Sequence, residues 1–336
     1  MSELNLYSTV TLGKVLDLKK PPILFLWRLL IGAEPTHRTE SIEVQSRVGD
    51  RTIVPFVGRY EDGTFIRQGG FKTNLYTPQL LKPYTICQGE NLLKQSFGNT
   101  VYSTSVATAK KTVAEELTKL RTIGARTKQY LLAKLLATGI LPSNDENSGI
   151  DFGDFEKIIL TGNSLWTNPD SDPIEFLKEQ RIKIQKKTGR VPDVLILDPA
   201  VGSALQNHPK MIERMKAYSS DFADMKNREL EVGVAYLGRV LEINTTVYTF
   251  VDFVTKDGVE ENLFPQNYGL YVSEKSFRCE YAAIVARENL QSPLTLHVAK
   301  EVAIKVPEKN ADLLELQSAP FIRPEVPGSW VYFQAI

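Results

Sequence analysis

The sequence predicts an α+β fold with one long helix and many short strands. Residues 103–138 have apolar side chains at intervals of three and four, which is typical of a helix. The C-terminal half instead has short apolar runs separated by turn residues, which is typical of strands. With 336 residues, of which 42% are hydrophobic and 24% charged, the chain has an ordinary globular composition and is long enough for two domains.

The first predicted element is an N-terminal arm that contains a short helix. Its apolar run, residues 23–31, follows Pro21-Pro22, where a helix can begin. The run is too short to cross a bilayer and contains Arg28, so no membrane anchor is expected. We expect the helix to lie on another surface, which a second subunit could supply, through four apolar side chains: Leu24, Trp27, Leu30 and Ile31. Trp27 and Leu30 are the candidate assembly residues of the arm.

The second predicted element is a two-stranded ribbon within residues 51–83. Strand-forming residues flank Asp62-Gly63, and Asp-Gly is a strong hairpin signal. The ribbon is largely polar, and an isolated hairpin is at best marginally stable in water. We therefore expect it to need a neighbouring subunit, although an ordinary surface hairpin on its own domain is the alternative. Its candidate assembly residues are Arg59, Asp62, Gly63, Arg67, Gly69, Gly70 and Lys72.

The third element is the long helix, residues 105–138, on the order of 45 Å long. Gly139 offers a C-cap and Pro142 a stop, whereas Gly124 is a weak point inside the helix. Its basic residues outnumber Glu115 and Glu116. They predict a solvated face or, alternatively, a face toward packaged nucleic acid or an acidic neighbour. They are Lys110, Lys111, Lys119, Arg121, Arg126, Lys128 and Lys134.

The next segment predicts a hairpin followed by an α/β unit. Residues 157–160 and 164–167 are expected to form short strands that turn at Gly162-Asn163. After turn residues 168–173, a helix is predicted up to Gly189, then a buried strand at residues 194–197 and a further helix after Asp198-Pro199.

The C-terminal part predicts mainly strands. Residues 247–254 alternate, Asp257-Gly258 turns, and residues 259–264 return, which indicates a second Asp-Gly hairpin. Residues 294–306 and 313–322 are expected to be extended, and residues 330–333 form a terminal strand.

Catalytic chemistry has few candidates in this sequence. The three histidines are scattered, common nucleotide and hydrolase motifs are absent, and Cys87 and Cys279 are far apart, so no catalytic, cofactor-binding or metal-binding residues are predicted. Asp198 is the best catalytic-looking residue because it follows a predicted strand, but we favour a helix cap. The 40 basic and 40 acidic residues predict only weak, non-specific contact with nucleic acid.

Four short motifs, in this order, carry a resemblance to a known family. They are Arg67 with Gly69-Gly70, Thr77-Pro78 with Lys82-Pro83, Asp257-Gly258-Val259 with Asn262 and Pro265, and Gln317-Ser318-Ala319-Pro320. With the arm and the long helix, this order resembles the lambda-type major capsid proteins of tailed phages, the phage major capsid protein E family, over roughly residues 20–336.

The resemblance implies the Hong Kong 97-type capsid fold. In that fold the arm (1–43) and the extended loop (44–83) precede a peripheral domain (84–172) whose spine helix is residues 105–138. An axial domain (173–286) would follow, then return strands through the peripheral domain (287–322) and a C-terminal strand back on the axial domain (323–336).

The resemblance also implies a function without catalysis. The chain would be the head protein of a tailed phage, assembling as hexamers and pentamers into an icosahedral shell around double-stranded DNA. Its locations would be the virion capsid and, during assembly, the host cytoplasm. Further partners would be a portal and a scaffolding protein. The scaffolding protein would be a separate chain, because this chain starts almost directly with the arm. A decoration protein is left open. The lysine cross-link of some members would have to use Lys72 and is not expected. The alternatives are an encapsulin-like cellular shell and a two-domain α/β enzyme or ligand-binding protein that uses Asp198.

Overall fold

The computed structural model describes most of the chain, including the long helix and the whole C-terminal strand region. The described residues are 12, 24–46, 72–88, 105–143, 149–153, 155–217, 228–231, 233–256, 258–287, 293–307 and 311–336. The predicted ribbon, residues 51–71, therefore lies outside the described residues, whereas Lys72 lies within them.

Helices and strands occur largely in separate runs, which is typical of an α+β fold, and the described residues after Ala217 contain strands but no α-helix. The helices are α1 (Phe25–Leu30), α2 (Ser105–Thr138), α3 (Pro173–Thr188), α4 (Pro199–Asn207) and α5 (Pro209–Ala217). The first strands are β1 (Ile31–Ala33), β2 (Ile42–Ser46), β3 (Lys72–Tyr76), β4 (Tyr84–Gln88), β5 (Ile140–Leu141), β6 (Ile150–Asp151) and β7 (Glu156–Ile159). Next come β8 (Val194–Leu197), β9 (Arg228–Glu231), β10 (Val234–Val240), β11 (Thr245–Phe250), β12 (Phe253–Lys256), β13 (Val259–Asn262) and β14 (Tyr268–Val272). The last are β15 (Phe277–Tyr281), β16 (Ile284–Ala286), β17 (Thr295–His297), β18 (Val302–Pro307), β19 (Ala311–Gln317), β20 (Pro320–Pro324) and β21 (Val331–Gln334).

A seven-stranded sheet organises the part of the chain after residue 155. Its strand order is β7-β21-β14-β8-β11-β10-β9, and β8 and β11 are parallel neighbours. Successive side chains of β8 point to opposite faces of the sheet, and both faces are covered. Leu195 and Leu197 pack with α3 and α4, whereas Val194 and Ile196 enter the larger core on the other face.

The long helix packs against two smaller sheets. Its C-terminal half contributes Leu132, Leu135 and Leu136 to the larger core, which also contains residues of the sheet β1-β15-β20. Its N-terminal half packs through Val113 and Leu117 on the sheet β18-β19-β4. No described helix is apolar over enough of its length to span a membrane.

Local signals predicted several elements correctly. Helix α2 ends as expected at Gly139, whose φ is +76° and whose N–H donates to the Leu135 carbonyl at 2.8 Å. Asp172 caps α3 by accepting from two backbone N–H groups at 3.1 Å, and Gly189 ends that helix with φ +77°. The predicted second Asp-Gly hairpin forms as β12–β13, with Gly258 at φ +81°. Residues 247–250, which were expected in its first strand, belong instead to β11 of the seven-stranded sheet.

The hairpin predicted at residues 157–167 is wrong. Strand β7 pairs in parallel with β21, and Gly162–Ser164 is a 3₁₀ turn. The short apolar run at residues 158–160 indicates that a strand forms but does not show its partner, and here the partner is at the far end of the chain. Residues 156–159 consequently belong to the seven-stranded sheet, together with the elements of the predicted axial domain.

Candidate assembly surface

The two ends of the predicted extended loop lie side by side. Strands β2 and β3 are antiparallel, with Ile42 opposite Tyr76 and Ser46 opposite Lys72. We call this strand pair the ribbon root. Six candidate assembly residues of the loop, Arg59, Asp62, Gly63, Arg67, Gly69 and Gly70, lie outside the described residues, and Lys72 begins β3. The chain thus leaves the body and returns to it at one place.

The ribbon root is attached to the body by an aromatic contact. The Tyr76 ring stacks on Phe321 with centroids 5.3 Å apart, and Phe152 lies 6.2 Å from Tyr76. Ile42 is fully buried beside them, and the Ser41 and Thr77 hydroxyls are 2.8 Å apart. Burial of one face of the root therefore fixes where the extended loop begins and ends.

The other face of the ribbon root is uncovered. Leu75 is 69% exposed, and its cross-strand neighbour Glu43 is exposed as well. Among the described residues, β2 and β3 pair only with each other. An exposed two-stranded sheet with an apolar side chain on its outer face is suited to contact with another chain.

The N-terminal arm lies on its own chain where it is described. Leu30 is fully buried in the larger core, and the Phe25 ring packs at 5.4 Å from both Tyr248 and Phe250. Trp27 is half-buried, and its Nε1 donates to Glu34 Oε1 at 2.6 Å. Leu30 therefore packs into the core of its own chain, where a second subunit had been one expected source of the surface. The run of apolar residues predicted burial correctly but could not identify which copy of the chain provides it.

Two of the basic residues of α2 point into the protein, not into solvent. Glu301 Oε2 accepts from Arg121 Nε at 2.6 Å, and Glu301 Oε1 lies 3.0 Å from Lys128 Nζ. Lys128 is 6% exposed and also lies over the Tyr281 ring, 5.0 Å from its centroid. Arg121 and Lys128 therefore form two internal ion pairs with Glu301 and do not contribute to the predicted basic face of the helix.

The environment of Glu301 favours its ionised form. Burial alone would raise its pKa, but the two nearby cations outweigh burial and lower the pKa below its ordinary value of 4.5. Glu301 was missed from the sequence because it is separated from Arg121 by 180 residues and has no motif around it.

A cleft of about 430 Å³ lies beyond the carboxyl ends of the parallel strands β8 and β11. It is lined by Asp198, Asp252 and Phe253, among others. Asp198 stands at the N-cap position of α4 but makes no side-chain bond to that helix, so the expected cap is wrong. Its Oδ2 accepts instead from the Asn267 N–H at 3.3 Å, because the loop before β14 comes closer than the first turn of the helix.

Hydrogen bonds from its own chain hold the Asp252 carboxylate of the cleft in place. Asp252 accepts from Gln129 Nε2 at 2.7 Å and from the Phe253 N–H at 2.9 Å, which are structural contacts. No group of three or more metal-ligating side chains occurs in the described part of the chain. Burial raises the pKa of the Cys279 thiol to about 12, so that thiol is not a reactive nucleophile.

Comparison with known proteins gives one family match. The family model described as phage major capsid protein E matches residues 8–333 of this chain. A search of the curated proteins finds no match.

Three of the solved structures with a similar fold come from phages or phage-related proteins. A crystal structure assigned as a prophage capsid protein of E. coli CFT073 has a TM-score of 0.68 at 14% identity and covers 98% of this chain and 99% of that chain. A phage-related protein from Bordetella bronchiseptica RB50 has a TM-score of 0.53 at 13% identity, covering 98% and 97%. The mature capsid of bacteriophage PhiM1 has a TM-score of 0.51 at 11% identity, covering 94% and 88%. At these identities the likeness shows the fold alone, and it confirms the predicted Hong Kong 97-type fold.

Proposed function

The chain belongs to the phage major capsid protein E family, and on that premise we propose how its copies associate. The protein is a major capsid protein of a tailed phage, a structural subunit of the virion shell. We propose that the extended loop, residues 44–83, lies across a neighbouring subunit. The neighbour would then supply the apolar cover and the strand partners that an isolated ribbon lacks.

The observation that carries this proposal is the ribbon root. Because Ser46 and Lys72 are paired, residues 47–71 start and end at the same point of the body. The stacked rings of Tyr76 and Phe321 fix that point, while Leu75 is left exposed on the outer face. The geometry therefore supports a loop that is anchored at its base and contacts another chain beyond it.

The wider assembly is proposed in the same terms. The seven-stranded sheet with α3 and α4 would form the axial body around the five-fold and six-fold axes of pentamers and hexamers. The spine helix α2 and its two sheets would form the peripheral body. Identical copies related by rotation close such rings when two different surfaces of one subunit fit each other.

Other partners are proposed from the resemblance alone. They are a separate scaffolding protein, a portal, and packaged double-stranded DNA in weak contact, with assembly in the host cytoplasm. A net charge of zero supports weak contact, since tight non-specific DNA binding needs an excess of basic residues. No lysine cross-link is proposed, and an intact monomer band from mature particles on a denaturing gel is the expected result.

Assembly of the purified chain tests the proposal. Sedimentation and electron microscopy should detect rings or shells, with shells of uniform size requiring the scaffolding protein. A chain that remains monomeric with and without the scaffold would contradict the proposal. Uniform shells formed by the chain alone would contradict only the scaffold. An enzyme packed inside shells from the natural source would favour the encapsulin-like alternative.

A further inference from the structure

A second hairpin, β12–β13, projects from the body with little cover from its own chain. Its two strands pair only with each other in the described structure. Phe253 is 53% exposed and Val259 is 61% exposed, and Val254 is the strand residue that packs against the core. Since isolated hairpins are marginal in water, this one gains stability if another surface covers it.

One face of the hairpin forms a wall of the strand-end cleft. Phe253 and Asn262 are directly opposite each other on that face, and both line the cleft. Glu260 is on the same face, because side chains two residues apart along a strand point the same way. The opposite wall is Asp198-Pro199-Ala200 at the start of α4.

The chemistry of the cleft favours an occupant that is both apolar and basic. The exposed Phe253 ring provides apolar surface. Asp198 and Asp252 in the lining provide negative charge, and Glu260 adds a third carboxylate on the same face of the hairpin beside the cleft. No ion pair among the described residues neutralises these three groups. An apolar side chain flanked by lysines would satisfy both properties.

The outer face of α3 has this complementary chemistry. Ile182 is 50% exposed, and Lys183 and Lys186 are exposed beside it on the same helix. No ion pair found in the described part of the chain includes either lysine, whereas Lys178 of the same helix pairs with Glu175 and Glu242. We call Ile182, Lys183 and Lys186 the α3 patch.

The cleft and the α3 patch lie toward opposite ends of the same strands. The cleft is at the carboxyl ends of β8 and β11. Helix α3 lies toward their amino ends, because Lys178 contacts Glu242 just before β11 and the helix ends six residues before Val194, where β8 begins. Strand β11 has six residues and so spans about 20 Å, which keeps the two surfaces of one subunit apart.

We propose that the cleft receives the α3 patch of the next copy of this chain in a ring. This inference rests on the proposed function, which supplies the ring of identical copies. Two complementary surfaces at opposite ends of one body are what a head-to-tail ring contact requires. The contact adds an axial interface to the one proposed for the extended loop.

Charge reversal on each side tests the contact. The cleft variant is E260K with N262K, which keeps the Phe253 ring, and the α3 variant is K183E with K186E. All four side chains are exposed, so each variant should stay folded by circular dichroism and thermal melting. Each variant should reduce the assembled fraction at least tenfold, because like charges then face each other. The combination of all four substitutions should restore most of the assembly. E213K, at an exposed acidic position of α5, is the matched control and should assemble normally.

The outcomes separate this inference from the proposed function. If the unmodified chain forms no rings or shells, the proposed function fails. If it assembles and the cleft variant or the α3 variant assembles equally well, only the ring contact is overturned. The ring contact is also overturned if the cleft variant and the α3 variant both fail to assemble and their combination does not recover assembly. The cleft would then receive a different occupant.

Discussion

At the scale of single residues, the charge of Glu301 has to be balanced inside the protein. Two cations, Arg121 and Lys128, share this one carboxylate inside the protein. A buried ion pair adds little compared with an apolar core, but removal of one partner leaves an uncompensated buried charge. Glu301 therefore holds the middle of the spine helix against the segment before β18.

Glu301→Gln should lower the free energy of unfolding by about 3 kcal/mol, because Lys128 loses its buried counter-ion. Chemical denaturation at pH 7 measures this. Lys119→Gln is the control on the same helix. Lys119 is 67% exposed and pairs with Glu116, and loss of such a pair should cost under about 1 kcal/mol. Equal effects of the two substitutions would contradict the assigned role of Glu301.

The same pair predicts a dependence on pH. The pKa of Glu301 is lower in the folded state than its ordinary value of 4.5, so its contribution to stability is complete above that value. The contribution is lost as the pH falls through the folded-state pKa. The difference in stability between the unmodified protein and Glu301→Gln should therefore shrink below pH 4.5, and a difference that grows on acidification would contradict this.

Two glycines of the spine helix region should respond in opposite ways to the same substitution. Gly124→Ala should stabilise the protein by about 0.5–1 kcal/mol, because a new Cβ meets nothing within 4 Å and alanine favours the helix. Gly139→Ala should destabilise it, because φ is +76° and a Cβ would lie 2.5 Å from Phe155 side-chain atoms. Thermal melting of the two variants gives the signs, and the same sign for both would contradict this account.

At the scale of elements, residues that act within one helical turn predicted helix ends correctly, whereas strand partners far away in the sequence could not be predicted. Gly139, Asp172 and Gly189 act within one helical turn, so the bounds of α2 and α3 could be predicted from the sequence. Strand β4 and the pairing of β7 with β21 could not, because their partners lie more than 150 residues away and leave no local pattern. For the same reason, the aromatic anchor of the ribbon root joins Tyr76 to Phe321 without any motif that connects them.

Tyr76→Ala should weaken the attachment of the ribbon root. It removes the stacking on Phe321 and part of the apolar cover of Ile42, with an expected cost of about 2 kcal/mol in unfolding free energy and a larger loss of assembly. Denaturation and sedimentation measure the two effects. Tyr84→Ala is the control for stability, because Tyr84 is 62% exposed on β4. If Tyr76→Ala assembles like the unmodified chain, the root does not orient the extended loop.

At the scale of the whole molecule, the order of the elements along the chain predicted the family, whereas no single element did. The arm, the extended loop, the long helix and the two Asp-Gly hairpins are each common, but their order along the chain predicted a capsid subunit. The match over residues 8–333 confirms that prediction. The contacts between subunits remained proposals, because one chain shows which surfaces are uncovered and not what covers them.

We expect the extended loop to join subunits without being needed for the fold of one subunit. Deletion of residues 61–71 retains both strands of the ribbon root, since β2 ends at Ser46 and β3 begins at Lys72. A variant with the same residues replaced by glycine and serine controls for chain length.

Electron microscopy of these two variants beside the unmodified chain, under identical assembly conditions, is the most direct test. We expect both variants to remain folded, with unchanged circular dichroism, and to form no closed shells. Closed, stable shells formed by the deletion variant would contradict the claim.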